Sequence, residues 1–233
     1  MQIWLGLVFL FLTQTTATES FAIRASIPLR QATHGVDGQL QLMEDARLTL
    51  AMQRKFWNTG ETGNLTSLRN AALRIVKRDN TLVETIELER PMARLTRVSL
   101  YKTPGPETFQ LTVDYTAEAG SYNGPITSFV EVKDGHLTWL EATDRASGKT
   151  DRIALMQALK STWQLVPARA GSRETTDILY ALCRPADATA GEFTTTYRRY
   201  FFDGTAWIRV GREEKGLNEF DGGMPPRRLF PSR

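Results

Sequence analysis

The feature that most constrains this chain is an alternation of apolar and polar residues along short segments. Residues 109–116 show it most clearly, because every second side chain is apolar. A period of two is typical of a β-strand with one face buried and the other in solvent. The sequence predicts at least ten strands in all. Besides 109–116, predicted strands lie at 48–52, 73–75, 82–88, 98–100, 126–132, 137–141, 178–183, 197–202 and 207–210.

Turn-forming residues separate several of these segments. Asp134-Gly135 and Asp203-Gly204 each lie between two apolar runs, where the left-handed backbone of a tight primed turn favours Asp-Gly. Residues 78–81 form a third candidate turn. The sequence therefore predicts an all-β fold built mainly from antiparallel meanders and hairpins, arranged as a sandwich or as propeller-like blades.

One segment, residues 151–162, departs from the alternation. Apolar side chains recur there at helical spacing: Ile153, Met156, Leu159 and Trp163. Thr150 is available as the N-cap, so the pattern predicts one short helix. The alternative is a strand through 153–155, a turn, and a second strand through 163–165.

The N-terminal residues indicate export. Residues 3–12 are uninterrupted apolar residues, too few to span a bilayer but suited to the core of a signal peptide, and small residues follow at Thr15 and Ala17. We predict a signal peptide at 1–17, with cleavage after Ala17. The segment before the apolar run has no Lys or Arg, so a misplaced start site or a buried first strand remains the alternative.

The remaining residues, 18–233, fit one β-rich domain. A weak internal duplication is also suggested, because an offset of 69 residues superposes the two Asp-Gly turns and aligns 109–139 with 178–207. Any two hairpins share such a turn, so chance similarity explains this alignment equally well.

Composition excludes several classes of function. The net charge of +3 is too small for a nucleic-acid-binding surface. The two histidines lack any metal-binding spacing, and His136 follows a turn glycine, so no metal site and no cofactor are predicted. Cys183 is the single cysteine and lies in an apolar run, which predicts a buried, inert thiol.

Paired carboxylates are the one catalytic device that the sequence leaves open, because glycoside hydrolysis needs two Asp or Glu side chains from any two strands. Asp114, Glu131 and Glu141 are the candidates. All three lie in the polar phase of a strand or beside a strand end, which favours a solvated face, so no catalytic residue is assigned.

Two segments are candidates for ligand or partner binding. Tyr122 and Asn123 lie in a tight loop ending in Gly-Pro, with the Tyr side chain expected at its tip. The second segment is a run of four residues in a predicted strand: Tyr197, Arg198, Arg199 and Tyr200. Alternation places Tyr197 with Arg199 on one face and Arg198 with Tyr200 on the other. Arg stacked on Tyr is typical of interfaces.

These observations lead to three hypotheses. The first is an exported bacterial protein, periplasmic or secreted, that binds an envelope protein or a glycan and is not an enzyme. The second is a carboxylate-dependent hydrolase acting on cell-envelope polysaccharide. The third is a structural component of an envelope assembly. No membrane span is expected after processing, and the sequence does not determine the oligomeric state.

Overall fold

The structure is a computed structural model that describes residues 21–30, 37–45, 71–88, 93–102, 105–113, 124–168, 176–186, 191–221 and 223–233. These residues form fifteen β-strands and one short 3₁₀ turn, Arg227–Leu229. The predicted all-β fold is confirmed. In the described part of the chain, no helix has the length and apolar character needed to cross a membrane.

The first sheet contains four strands that are adjacent in space in the same order as in the sequence. They are β1 Phe21–Pro28, β2 Gly38–Asp45, β3 Ala71–Lys77 and β4 Leu82–Leu88. Every neighbouring pair is antiparallel. The turn between β3 and β4 contains Asn80 at a φ of 66°, which confirms the turn predicted at 78–81.

The second sheet contains five strands, and its strand Ile126–Lys133 pairs along one edge with two short strands. Its strands are β5 Ala93–Val98, β6 Glu107–Val113, β7 Ile126–Lys133, β8 His136–Trp139 and β11 Ala154–Met156. One edge of β7 pairs with β6, while β11 and β8 pair with successive halves of the other edge. Asp134 and Gly135 both have positive φ, as expected for the tight primed turn predicted between β7 and β8.

The third sheet has six strands, in the spatial order β10-β9-β15-β14-β13-β12. They are β9 Glu141–Asp144, β10 Thr150–Arg152, β12 Ser161–Pro167, β13 Thr176–Pro185, β14 Phe193–Phe202 and β15 Trp207–Lys215. The pairing of β9 with β15 is parallel, and the other pairings in this sheet are antiparallel. The predicted Asp-Gly hairpin is present between β14 and β15, but its connection is a four-residue loop, 203–206, in which Gly204 alone has positive φ.

The buried apolar side chains of the described residues form three hydrophobic cores. The first core joins the first and second sheets and includes Leu73 and Phe109. The second core joins the second and third sheets and includes Phe129 and Ile178. The third core lies on the other face of the third sheet, where Phe230 and its neighbours from the end of the chain cover it.

The middle of strand β13 is continuously apolar, without alternation, because both faces of the strand are buried. Its two sets of alternate residues enter different cores: Ile178, Tyr180 and Leu182 enter the second core, and Leu179, Ala181 and Cys183 enter the third. A strand buried on both faces is expected to be apolar throughout. The prediction that the Cys183 thiol is buried is confirmed.

The third core depends on residues 217–221 and 223–233, which we call the C-terminal strap. Phe220 and Phe230 of the strap are buried, and Phe230 packs edge-on against Tyr197 with ring centroids 5.5 Å apart. The backbone N–H of Asn218 lies 3.4 Å from the Cys183 sulfur, to which it donates. The strap therefore supplies the layer that keeps the apolar outer face of the third sheet out of water.

Two buried glutamates hold the first sheet against the second. Glu44 of β2 accepts a hydrogen bond from the backbone N–H of Ala93 at the start of β5, at 2.8 Å. Glu107 of β6 accepts from the backbone N–H of Arg30 at 3.0 Å and forms an ion pair with Arg97 of β5 at 3.1 Å. Because hydrogen bonds are directional, these contacts fix the relative position of the sheets.

The short helix predicted near 151–162 is absent, and the strand alternative is what the structure shows. The segment forms β10, β11 and the start of β12. Ile153 and Leu155 are both fully buried, whereas Leu159, which a helix would bury, is 38% exposed. Helix propensity is a weak preference, and here pairing of β10 with β9 and of β11 with β7 satisfies the backbone instead.

The two segments proposed as a duplication each contain a three-stranded antiparallel meander. Residues 109–139 contain most of β6, β7 and β8, and residues 178–207 contain most of β13, all of β14 and the start of β15. The two meanders lie in different sheets. A shared ancestry of the two segments stays a prediction.

Several predictions concern parts of the chain outside the described residues. These are the signal peptide at 1–17, the strand at 48–52, the loop residues Tyr122 and Asn123, and the carboxylate Asp114. His136 is described, and its side chain is 75% exposed, as predicted for a turn.

Candidate functional site

A cleft of about 830 Å³ lies where the second and third sheets meet. Its walls come from the connection after β5, the end of β7, the β8–β10 segment and the loop between β14 and β15. Sites that hold small molecules typically have volumes of about 300–1,000 Å³. Among the described residues, no three His, Cys, Asp or Glu side chains come together to hold a metal ion.

Aromatic rings form one side of the cleft. Trp207 opens β15 and pairs with Phe202 at the end of β14, so the hairpin brings both rings to the same end of the sheet. Tyr101, from the connection after β5, packs edge-on against both rings, at 5.2 Å from Phe202 and 6.0 Å from Trp207. Mutual edge-to-face packing of this kind holds rings in fixed orientations.

A chain of hydrogen bonds joins two of these rings to a carboxylate. The indole N–H of Trp207 donates to the Tyr101 hydroxyl oxygen at 2.6 Å, and the Tyr101 hydroxyl donates to Oε1 of Glu131. The direction of the chain is fixed, because an indole nitrogen can only donate and the Tyr101 proton is then directed to the carboxylate. Tyr101 and Trp207 therefore set the orientation of Glu131.

The position of Glu131 follows from the alternation along β7. Val130 and Val132 enter the first core, so Phe129, Glu131 and Lys133 point to the opposite face. Phe129 fills the second core, and the next two residues on that face line the cleft. Glu131 thus lies at the boundary between an apolar core and an open cleft.

Burial raises the pKa of Glu131 above its ordinary value. The desolvation of the carboxylate is the largest cause, and it outweighs the Tyr101 hydrogen bond and the charge of Lys133, both of which favour the ionised form. A carboxyl group with a raised pKa, facing a cleft and held in one orientation, is a feature of functional sites.

The opposite wall is polar and carries a second carboxylate. Glu141, the first residue of β9, lines the cleft and is exposed to solvent. The hydroxyl groups of Thr143 and Thr150 lie 2.8 Å apart on the same wall. Trp139 also lines the cleft, and the Arg152 guanidinium covers one face of its ring, 3.2 Å from the ring centroid.

The strand that carries Glu141 is held to β15 at its other end. Asp144 accepts hydrogen bonds from the backbone N–H of Ser147 at 2.9 Å and from Nε of Arg209 at 3.0 Å. These contacts lower the pKa of Asp144 to about 2, with the Ser147 backbone bond as the largest cause. Asp144 is therefore ionised at neutral pH and anchors this wall.

Comparison with known proteins assigns no role to this cleft. No protein-family model matches the sequence, and no curated protein or solved structure matches the chain. Its function is therefore inferred from the chemistry of its own side chains.

The binding residues predicted in β14 lie elsewhere. Tyr197 and Arg199 share the face under the C-terminal strap, and Arg198 and Tyr200 share the other face, as alternation predicts. Both tyrosines are almost completely buried, in the third and second cores respectively. None of the four lines the 830 Å³ cleft, so their role in binding stays an untested prediction.

Two of the three carboxylates that the sequence singled out line this cleft. They are Glu131 and Glu141. The sequence favoured a solvated face for both. Glu141 is exposed, but Glu131 is partly buried, and this burial raises its pKa. Sequence reasoning missed Tyr101 and Trp207 as its partners. They are separated from each other by 106 residues, and the only local signal was an aromatic residue beside an Asp-Gly hairpin.

Proposed function

We propose that this protein is an exported binding protein whose cleft holds a short segment of a neutral glycan. The observation that carries this proposal is the pairing, in one cleft, of aromatic rings with hydrogen-bonding carboxylates. Sugars have apolar C–H faces, which pack on aromatic rings, and hydroxyl groups at their edges, which bond to carboxylates. Export rests on the sequence of residues 1–17.

The charges of the lining residues support a neutral ligand. Two carboxylates, Glu131 and Glu141, are matched by two ammonium groups, Lys102 and Lys133. An apolar ligand would remove water from the Glu131 carboxylate without offering it a hydrogen bond, and this desolvation costs free energy. A ring carrying several hydroxyl groups satisfies the carboxylates and the threonine hydroxyls together.

Trp139 is a half-buried aromatic residue that lines the cleft. Replacing it with alanine is expected to weaken glycan binding by about 10-fold or more, because loss of an aromatic contact costs about 1.4 kcal/mol or more. Titration calorimetry and tryptophan fluorescence measure the affinity. The probes are three neutral glycans: the tetramers of N-acetylglucosamine, β-1,4-linked glucose and α-1,4-linked glucose.

Trp163→Ala is the matched control, since Trp163 is also half-buried but lies outside this cleft. It should bind like the wild type, provided that circular dichroism shows both variants folded. The proposal is wrong if no probe binds at millimolar concentration, or if the two variants lose affinity equally.

Export is tested by the intact mass of the protein purified from its native cells. We expect a mass that lacks residues 1–17. A full-length mass would contradict this part of the proposal and leave the glycan site to be judged on the binding data.

A further inference from the structure

We propose that the cleft also cleaves the glycan it binds, with Glu131 protonating the leaving oxygen of a glycosidic bond and Glu141 activating the water that replaces it. This inference rests on the proposed function, because cleavage requires a glycan in the cleft. It adds a reaction and assigns a role to each carboxylate.

The hydrogen-bond chain suits Glu131 to proton transfer. Tyr101 occupies Oε1 of Glu131, and among the described residues no group donates to the other oxygen, Oε2. Glu131 lines the cleft, so the orientation set by Tyr101 leaves one carboxyl oxygen for a bound ligand. Tyr101 and Trp207 are positioning residues, since they act through Glu131.

Burial beside the second core favours the acid form of Glu131, and it outweighs the neighbouring charge of Lys133, which favours the ionised form. Burial raises its pKa, and the groups that face the cleft with it are Lys133 on its own strand, Tyr101 and Lys102 from the connection after β5, and Glu141 from β9. A general acid must hold its proton at the working pH, and a raised pKa increases that fraction.

Glu141 has the contrasting environment that the second carboxylate requires. It is exposed at the mouth of the same cleft, where water reaches it, while Glu131 lies beside the second core. A general acid is favoured by a site removed from water, whereas a general base must lie where the attacking water reaches it. This difference assigns the acid role to Glu131 and the base role to Glu141.

The reaction balances with water as the only co-reactant. The Glu131 proton passes to the bridging oxygen, and the bond from the anomeric carbon to that oxygen breaks with its electron pair remaining on oxygen. A water molecule attacks the anomeric carbon and transfers a proton to Glu141. The products are two shorter saccharides, one with a new reducing end, and solvent returns the proton from Glu141 to Glu131.

The first test measures new reducing ends formed from whichever probe binds, at pH 4 to 9. Glu131→Gln is expected to lower the rate at saturating probe by about 10²- to 10⁴-fold. Glu141→Gln should lower it by a similar factor. Glu192→Gln, an exposed glutamate outside the cleft, is the control and should leave the rate unchanged.

Two further readouts separate acid catalysis from a structural role. An aryl glycoside whose leaving group needs no protonation should restore much of the rate to Glu131→Gln but not to Glu141→Gln. Tyr101→Phe removes a hydrogen bond that lowers the pKa of Glu131, so the high-pH limb of the rate profile should move to higher pH.

The possible failures are distinguishable. If a probe binds but no reducing end appears at any pH, or if Glu131→Gln cleaves as fast as the wild type, the hydrolase inference is wrong and the binding proposal stands. If no probe binds, the binding proposal fails and this inference fails with it.

Discussion

Replacing Asp177 with alanine should lower the free energy of unfolding by about 3–5 kcal/mol, the usual cost of removing one partner from a buried ion pair. Asp177 lies on β13 and is 1% exposed. Its carboxylate faces two guanidinium groups, those of Arg199 at 3.8 Å and of Arg233, which contacts both carboxylate oxygens.

Removing the carboxylate leaves the guanidinium groups of Arg199 and Arg233 close together, without a counter-charge, at a site that is largely shielded from water. The Nε of Arg199 is already buried without a hydrogen-bond partner among the described residues, and burial lowers the pKa of this arginine. Arg233 belongs to the C-terminal strap, and its guanidinium lies over the ring of Phe201. The variant should therefore also loosen the strap and admit water to the third core.

Urea unfolding gives the free energy, and hydrogen exchange shows where protection is lost. We expect faster exchange in β13, β14 and the strap, with the first core unaffected. Asp221→Ala removes an exposed carboxylate from the same strap and should change stability by less than about 0.5 kcal/mol. Equal stability of the Asp177 variant and the wild type would show that the ion pair does not hold the strap.

Replacing Gly38 with alanine should destabilise the protein by about 3 kcal/mol or more, the upper end of the cost of overpacking. Gly38 begins β2 and pairs with Lys77 of β3. A Cβ atom at this position would overlap the backbone carbonyl oxygen of Val76. Because that oxygen belongs to a paired strand, relief requires β2 and β3 to separate, which breaks ladder hydrogen bonds.

Gly211→Ala is the matched substitution in another strand. Gly211 lies within β15, and a Cβ atom there would have no neighbour within 4 Å. Alanine should be neutral or stabilising by about 0.5 kcal/mol, because glycine loses more conformational freedom on folding. Thermal and urea unfolding of both variants measure the difference, and similar effects at the two positions would contradict the packing argument.

Local patterns predicted much of the strand content, because the alternation of apolar and polar residues along a strand shows which of its two faces is buried. The alternation at 109–113 and the apolar run at 178–183 lie in β6 and β13, and Asp134-Gly135 forms the turn that its composition favours. Residues 114–116 of the predicted strand lie outside the described residues. These features depend on residues close in sequence. They are therefore readable without knowing which strands become neighbours.

The segment 151–162 shows where local patterns fail. Its side chains fit a helix and a strand almost equally well, and pairing with β9 and β7, which no local pattern specifies, decides the outcome. Tertiary contacts also decide whether the rings of Tyr197 and Tyr200 are exposed. Their alternation was predicted correctly, but both faces of β14 are covered by other parts of the chain, so neither ring forms an exposed surface.

The sequence by itself determined that this chain forms antiparallel strands, where several of its turns lie, and that its cysteine is buried, because each depends on short-range alternation and backbone preference. Only the tertiary structure decided the stacking of three sheets and the cleft between two of them. The chain from Trp207 through Tyr101 to Glu131 joins residues separated by 106 and 30 positions. The raised pKa of Glu131 comes from burial that the folded arrangement of these strands creates.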